Sequence, residues 1–409
     1  CWGRIFMADY FRDPSPKFHY ELIQFFFSKQ NEYIAAPRGF AKALDINTPI
    51  LTTAGFKKLI DIKIGDKIFT EKGKETDVIK KSEIFYNRDC YKIKFSDNTE
   101  IVADANHDWV VETKLERARV CDFRKRKKTV PIRLIKKTTE ELAKDVYIKS
   151  GERMEVNYSI PVTEPLQFKE KNLIIEPYFL GQWLGDGDKK SSRITTIDEE
   201  AIEYLYGYAY KLGLQVSVVK AGGNSKSYAI TNKKLGKHNA ESLQSKLRRI
   251  GVFNNKHIPD DYLFSSYKQR LELLQGLMDS DGTISKFGHC SFTNTNKKLI
   301  SDVQKLLWTF GIKNTLYETD AKIYGIIKSR VYQLAFTADI PIFSLSRKLE
   351  RMNKINIRTK RRYIVEISKV KSVPVQCLGV DNPTHLFLAG EALIPTHNTT
   401  LMQLCICFS

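Results

Sequence analysis

Three consecutive residues near the end of the chain, His397-Asn398-Thr399, carry groups able to cut and rejoin a polypeptide. An Asn side-chain amide can attack its own backbone carbonyl and close to a succinimide, a preceding His can assist, and a following Thr supplies a hydroxyl nucleophile. A second set lies in the middle of the chain. The stretch Phe179-Leu180-Gly181-Gln182-Trp183-Leu184-Gly185-Asp186-Gly187 and the later Leu274-Gln275-Gly276-Leu277-Met278-Asp279-Ser280-Asp281-Gly282 each end in Asp-Gly. The pattern returns after about 95 residues, an internal repeat with a carboxylate, Asp186 and then Asp281, near the end of each copy. Two carboxylates brought together can hold divalent cations.

If residues 43–398 were removed and the ends joined, Ala36-Pro37-Arg38-Gly39-Phe40-Ala41-Lys42 would run into Thr399-Thr400-Leu401. This is a relaxed phosphate-binding loop, with Ala36 and Ala41 at customary glycine positions. Such a loop needs its Lys and its hydroxyl residue adjacent. The chain therefore resembles an intein interrupting an ATPase, and the joined loop together with Tyr10 to Phe27 resembles the large subunit of a phage terminase. On this resemblance Lys42 and Ala43 flank the upstream splice junction.

The elements that must position these groups are short strands. Leu44 to Ile50, Gly55-Phe56 and Ile60 to Ile68 alternate apolar residues between turn signals, and Tyr91 to Phe95 with Thr99 to Val102 reads as a hairpin around Asp97-Asn98. Ile364 to Val370, Val375 to Val380 and His385 to Leu388 form the downstream counterpart. In order and character both ends resemble the horseshoe-like, all-β splicing (Hint) domain of inteins.

Ala43 stands where most inteins begin with Cys or Ser. Trp109, Cys377 and Thr396 resemble the signature of class 3 inteins, which use an internal Cys. That resemblance implies that Cys377 attacks the Lys42–Ala43 carbonyl to form a branched thioester and that His107 protonates the departing nitrogen. The acyl group then passes to Thr399, and Asn398 cyclises with help from His397. His385 either assists that cyclisation or makes a structural hydrogen bond. No cofactor is implied for splicing. Inteins usually carry Thr three residues before the histidine that His107 matches, and here Asp104 takes its place. The alternative is a class 1 intein trapped by a Cys-to-Ala change at Ala43.

The paired Asp-Gly stretches resemble the motifs of LAGLIDADG homing endonucleases. The resemblance implies two small-residue helices packed along a pseudo-twofold axis, with Asp186 and Asp281 as Mg2+ ligands at their ends. Lys256 lies where such enzymes often carry a lysine near the attacking water, and it reads equally as a plain surface lysine. Polar strands at Arg193 to Thr196, Tyr228 to Thr231, Ser291 to Thr293 and Tyr332 to Phe336 would build saddle-shaped sheets for the major groove of double-stranded DNA.

A net charge of +19 from 66 basic and 47 acidic residues in 409 suits a polyanionic partner. Arg124, Lys125, Arg126, Arg193, Lys246, Arg248, Arg347 and Arg358 are candidate DNA contacts, the last within a basic run from Arg358 to Arg362. Seven scattered Cys suggest neither disulfides nor zinc but a reducing cytoplasmic setting, and the terminase resemblance implies a prokaryotic or phage-infected cell. The apolar runs are too short for a membrane span.

The expected fold class is α+β multidomain, an all-β splicing domain interrupted by a pseudo-twofold α/β endonuclease, acting as a monomer. The expected boundaries are 1–42 and 399–409 for the flanking host segments, 43–112 and 351–398 for the splicing halves, 113–172 for a basic connector and 173–350 for the endonuclease. A splice-inactive DNA-binding or DNA-cutting module is a second functional reading. A terminase ATPase is disfavoured as the activity, since the flanking segments are too short for a nucleotide-binding core.

Overall fold

A computed structural model describes residues 42–125, 130–220, 226–231, 239, 241–323, 326–352 and 360–397. Asn398, Thr399, Arg126 and Arg358 lie outside these described residues.

Two antiparallel sheets carry the ends of this segment. One has eight strands in the order Val375–Gln376, Leu44–Asp45, Glu100–Asp104, Cys90–Phe95, Arg361–Val370, Tyr158–Pro161, Asp108–Thr113 and Ile135–Thr138. The other runs Leu378–Val380, Glu75–Lys81, Lys67–Phe69, Pro49–Thr52, Leu386–Ala389 and Ile394–His397, with Gly55–Lys58 beside Pro49–Thr52. Residues from both ends thus interleave in each sheet. The local reasons are ordinary ones. Within Cys90–Phe95 the side chains of Cys90, Ile93 and Phe95 are buried, and those of Tyr91, Lys92 and Lys94 are partly covered. Asn98 takes a left-handed φ of 64° and Asp97 accepts the Thr99 hydroxyl at 2.7 Å, which closes the hairpin.

The stretch 113–172 does more than connect. Tyr158–Pro161 is an interior strand of the first sheet, with Tyr158, Ser159 and Ile160 all buried, and Ile135–Thr138 forms its edge. A helix covers Lys114–Lys125, so Arg124 and Lys125 occupy its last turn.

The basic run ending at Arg362 departs from the expectation of phosphate contacts. Successive strand residues point to opposite faces, and Arg361 and Arg362 each turn into a buried carboxylate. Arg361 pairs with Glu112, and Arg362 donates to Asp97 at 2.7 Å. Burial is tolerable for such charges only with a partner, so these two are consumed inside the protein. We predict that Asp97→Ala, which strands the Arg362 guanidinium, lowers stability by about 3–5 kcal/mol in chemical denaturation.

Between the sheets' two halves lies a repeated α/β unit. The helices Pro177–Asp186 and Tyr267–Ser280 pack against each other. The first starts with Pro at its first turn and the second with a Ser266/Gln269 capping box. Gly181 and Gly276 meet at the crossing: a Cβ on Gly181 would lie 2.8 Å from the Leu277 nitrogen, and one on Gly276 2.8 Å from the Gln182 nitrogen. A three-stranded sheet (Arg193–Thr196, Lys226–Thr231, Gln215–Lys220) follows the first helix, and a four-stranded one (Gly282–Ile284, Cys290–Asn294, Ile326–Phe336, Asn314–Ile323) the second. The repeat is imperfect, because the first half reduces the leading strand to a single bridge between Gly187 and Ile194.

Candidate splice junction and paired-carboxylate site

The upstream junction is held by strand pairing. Leu44 pairs with Gln376 and Asp45 with Val375. Continuing that register by one residue places Ala43 opposite Cys377, and the two belong to one buried cluster with Cys90 and Val375. Ala43 is fully buried, and Cys377 is 3% exposed. Ser82 fixes the Cys377 backbone: its hydroxyl accepts the Cys377 N–H at 3.0 Å, and its own N–H donates to the Cys377 carbonyl at 3.0 Å.

On the opposite edge of Leu44–Asp45, Asp104 grips the same residue twice. Its N–H donates to the Ala43 carbonyl at 3.0 Å, and its Oδ1 accepts the Ala43 N–H at 3.3 Å. Its other oxygen, Oδ2, accepts from Arg88 at 2.9 Å. Burial pushes the Asp104 carboxyl up to about 6, against the pull of the Ala43 N–H and Arg88.

The turn after Glu100–Asp104 carries the histidine. His107 is 1% exposed, its Nε2 is hydrogen-bonded to the Thr396 hydroxyl, and its ring meets that of Trp109 edge-on with centroids 4.9 Å apart. Trp109 is anchored by Nε1 donating to the Thr139 hydroxyl at 3.0 Å. Burial drives the His107 imidazole down to about 3, so the ring is neutral at physiological pH. His385 and His397 stand beside each other with ring centroids 6.0 Å apart, and burial also lowers His385. Of the predicted splicing residues, the structure thus gathers Ala43 and Cys377 in one buried cluster and sets His107 beside the Lys42 backbone and Thr396, with Trp109 against the His107 ring and His385 against that of His397.

Two partners escaped the sequence reading. Asp108, next to His107 and 3% exposed, binds the ammonium of Lys42, with Lys136 3.3 Å away. Burial would raise the Asp108 carboxyl, yet Lys42 and Lys136 hold it below the usual carboxylate range. The available signal was a carboxylate adjoining the histidine of the turn, facing a lysine at the junction. We predict that Lys42→Glu slows splicing about tenfold or more, a loss of about 1.4 kcal/mol per factor of ten. Adding Asp108→Lys to that variant recovers most of the rate in a gel-based time course.

In the repeated unit, Asp186 ends the first helix and Asp281 caps the second. The helix ends approach closely, since a Cβ on Gly185 would lie 3.5 Å from the Asp281 Cγ. Partial burial and the charge of Asp281 push Asp186 up to about 6, and burial raises Asp281 as well. The Asn294 amide donates to Asp281 at 2.8 Å. Two oxygen donors that repel each other suit a hard divalent cation, which relieves the repulsion. Lys256 is half-buried beside them, with Nζ donating to the Gly185 carbonyl at 2.8 Å, and burial brings its ammonium down to about 8. Behind the second helix the buried Lys348 ammonium caps the carbonyls of Met278, Asp279 and Gly282 at 2.7–2.8 Å.

The two small sheets carry polar rows. Thr195 and Ser227 share a hydroxyl hydrogen bond at 2.7 Å, and Thr283 and Ser291 share one at 2.8 Å. Arg193 is exposed on its strand. Among the other candidate DNA contacts, Lys246 pairs with Glu241 at 3.2 Å, Arg248 stacks on Phe253 at 4.5 Å and Arg347 forms a two-pronged pair with Asp198 at 2.8 and 2.9 Å.

This is a Hint-like intein fold interrupted by a LAGLIDADG endonuclease-type domain. Residues 268–364 match the family profile of the LAGLIDADG-like domain. The particular resemblances are to replicative helicases: DnaB of Mycobacterium intracellulare is 34% identical over 376 residues, 90% of this chain and 60% of that protein. DnaB of Mycobacterium leprae (strain TN) is 41% identical over 76 residues, 19% of this chain and 13% of that one. The chain thus spans about 60% of the length of the first of these relatives. Among solved structures, that of the MchDnaB-1 intein covers 87% of this chain and 100% of its own at 15% identity and a TM-score of 0.27. Variants of the homing endonuclease I-DmoI cover 40% and 88% at 18% identity and a TM-score of 0.29. These relatives are not terminases. No helix among the described residues is long and apolar enough to cross a membrane.

Proposed function

We propose that the chain excises residues 43–398 from itself and joins Lys42 to Thr399, and that the same chain cuts double-stranded DNA at a specific site. The observation that carries the splicing reading is the register that sets Cys377 against Ala43. The Cys377 sulfur attacks the Lys42 carbonyl carbon, forming a thioester as the bond to the Ala43 nitrogen breaks. The acyl group moves to the Thr399 hydroxyl. Asn398 then cyclises, with His397 at the scissile bond and His385 beside it, and an ester-to-amide shift leaves a peptide bond between Lys42 and Thr399. His107, neutral and bonded to Thr396, orients the groups around the two junctions.

The interrupted host is an ATPase whose phosphate-binding loop is restored on ligation. The sequence Ala36 to Lys42 with Thr399-Thr400 carries the terminase reading, and the helicase relatives favour a DnaB-type host. Mass spectrometry of the expressed chain tests the splicing reading: a species joining residues 1–42 to 399–409, beside free 43–398, supports it. Persistence of the intact chain alone rejects it, leaving a splice-inactive module or a class 1 intein trapped at Ala43.

For the DNA reaction, Asp186 and Asp281 would hold Mg2+, which would polarise the scissile phosphates and neutralise developing charge. Lys256 places a cation of lowered basicity beside them, and the polar rows of the two sheets lie toward the major groove with Arg193 at their margin. The chain acts as a monomer, its repeat providing both half-sites. Asp186→Asn with Asp281→Asn is expected to abolish cleavage of a duplex spanning the joined host sequence, while leaving binding to that duplex within about tenfold. Retained cleavage in the double variant rejects the assignment.

A further inference from the structure

We propose that Asp104 is the proton donor to the departing Ala43 nitrogen in the first splicing step. The inference rests on the splicing reading above and deepens it. Asp104 is the group in direct contact with that nitrogen, its Oδ1 accepting the Ala43 N–H at 3.3 Å while its own N–H holds the Ala43 carbonyl at 3.0 Å. Those two contacts pin the leaving residue on both sides of its Cα. His107, the residue expected for this task, turns its Nε2 to Thr396 and approaches the Lys42 backbone, on the carbonyl side of the bond rather than at the Ala43 nitrogen. As a buried neutral imidazole it is a weak acid, whereas a carboxyl poised near neutrality is matched to the work.

The groups facing Asp104 set that poise. Arg88, from the segment before Cys90–Phe95, binds Oδ2 at 2.9 Å and lies over the Phe85 ring at 4.2 Å. Cys90 is its register partner on the neighbouring strand, a buried thiol whose hydrogen bonds go to the backbone carbonyls of Arg88 and Val373. The His107 N–H lies in the same turn, donating to the Asp104 carbonyl at 3.1 Å. Arg88 is the one nearby cation among these, and it keeps the carboxyl from rising further.

The Cys377 thiolate forms the S–C bond to Lys42, having given its proton to solvent. The C–N electron pair goes to the Ala43 nitrogen, which keeps its own hydrogen and takes one from Asp104. The Asp104 carboxylate then regains a proton from solvent, so no other reactant is required.

The test uses the full chain with Asn398→Ala and Thr399→Ala, which stop the later steps. Release of residues 1–42 by added dithiothreitol then reports thioester formation, followed across pH 5–9. In this background the rate requires both a protonated Asp104 and a Cys377 thiolate, so it should climb with pH and level off near 6. Asp104→Asn keeps an oxygen for the Ala43 N–H but has no proton to give. It should slow release by about 10² to 10⁴ and let the rate go on rising above pH 6. Arg88→Gln should move the levelling point to higher pH, a readout that a merely structural role for Asp104 would not produce. An Asp104→Asn profile that levels at the same pH, or an unchanged rate, overturns the proposal. If the parent background releases no residues 1–42, the splicing reading itself fails, independently of Asp104.

Discussion

Cys377→Ala yields intact, folded precursor with no ligated product, a loss of more than about 10³ in rate, the scale on which a lost nucleophile falls in hydrolytic enzymes. The reasoning is geometric. Ala43 carries no nucleophile, and Cys377 is the thiol that strand register sets opposite it. The side chain is small and buried among apolar neighbours, so its removal costs little packing and the fold survives. The measurement is mass spectrometry of parent and variant after equal incubation, with circular dichroism to confirm folding. The rival account makes a different forecast. If the parent does not splice and Ala43→Cys restores the product even with Cys377→Ala present, the first residue is the natural nucleophile and the class 1 reading stands.

Gly276→Val disrupts the endonuclease unit, by at least about 3 kcal/mol. A Cβ there would stand 2.8 Å from the Gln182 nitrogen and 3.0 Å from the Gly181 Cα, with the Tyr178 carbonyl nearer still. These are backbone atoms of the facing helix and cannot swing away as a side chain tip would, so the helices must separate. Separation takes Asp186 from Asp281, and cleavage of target duplex is lost with the stability. Denaturant titration with a probe in this unit, such as Trp183 or Trp308 fluorescence, reads the first effect and a plasmid-nicking assay the second. A variant as stable and as active as the parent would show that the crossing is not as tight as described.

The legible features are those that local sequence controls. Alternating apolar residues foretold the hairpin at Asp97-Asn98, because period acts over a few residues, and the resemblance of the paired Asp-Gly stretches to LAGLIDADG motifs foretold two helices, which end at Asp186 and at Ser280 with Asp281 as cap. The four polar strands fell where expected. What stayed hidden depends on distant pairing. Tyr158–Pro161 lies in the stretch expected to be a connector, but its place in the sheet is set between Asp108–Thr113 and Arg361–Val370, the latter some 200 positions on. The fate of Arg361 and Arg362 was similarly concealed, since a basic run looks alike whether it faces solvent or a buried Glu112 and Asp97. At the junction, Asp104 drew notice as a departure, while its double hold on Ala43 required knowing which strand lies beside which.

The carboxylate of Asp108 around the ammonium of Lys42 has a consequence for where such a segment can live. On the splicing proposed above, that lysine passes to the host segment, so the excised part reads a residue that it does not keep. A gene copy carried to a new locus would meet two separate conditions, DNA that the endonuclease half can cut and a cation waiting immediately before the insertion point. The second acts on protein rather than on DNA, and it favours insertion points that directly follow a cationic residue.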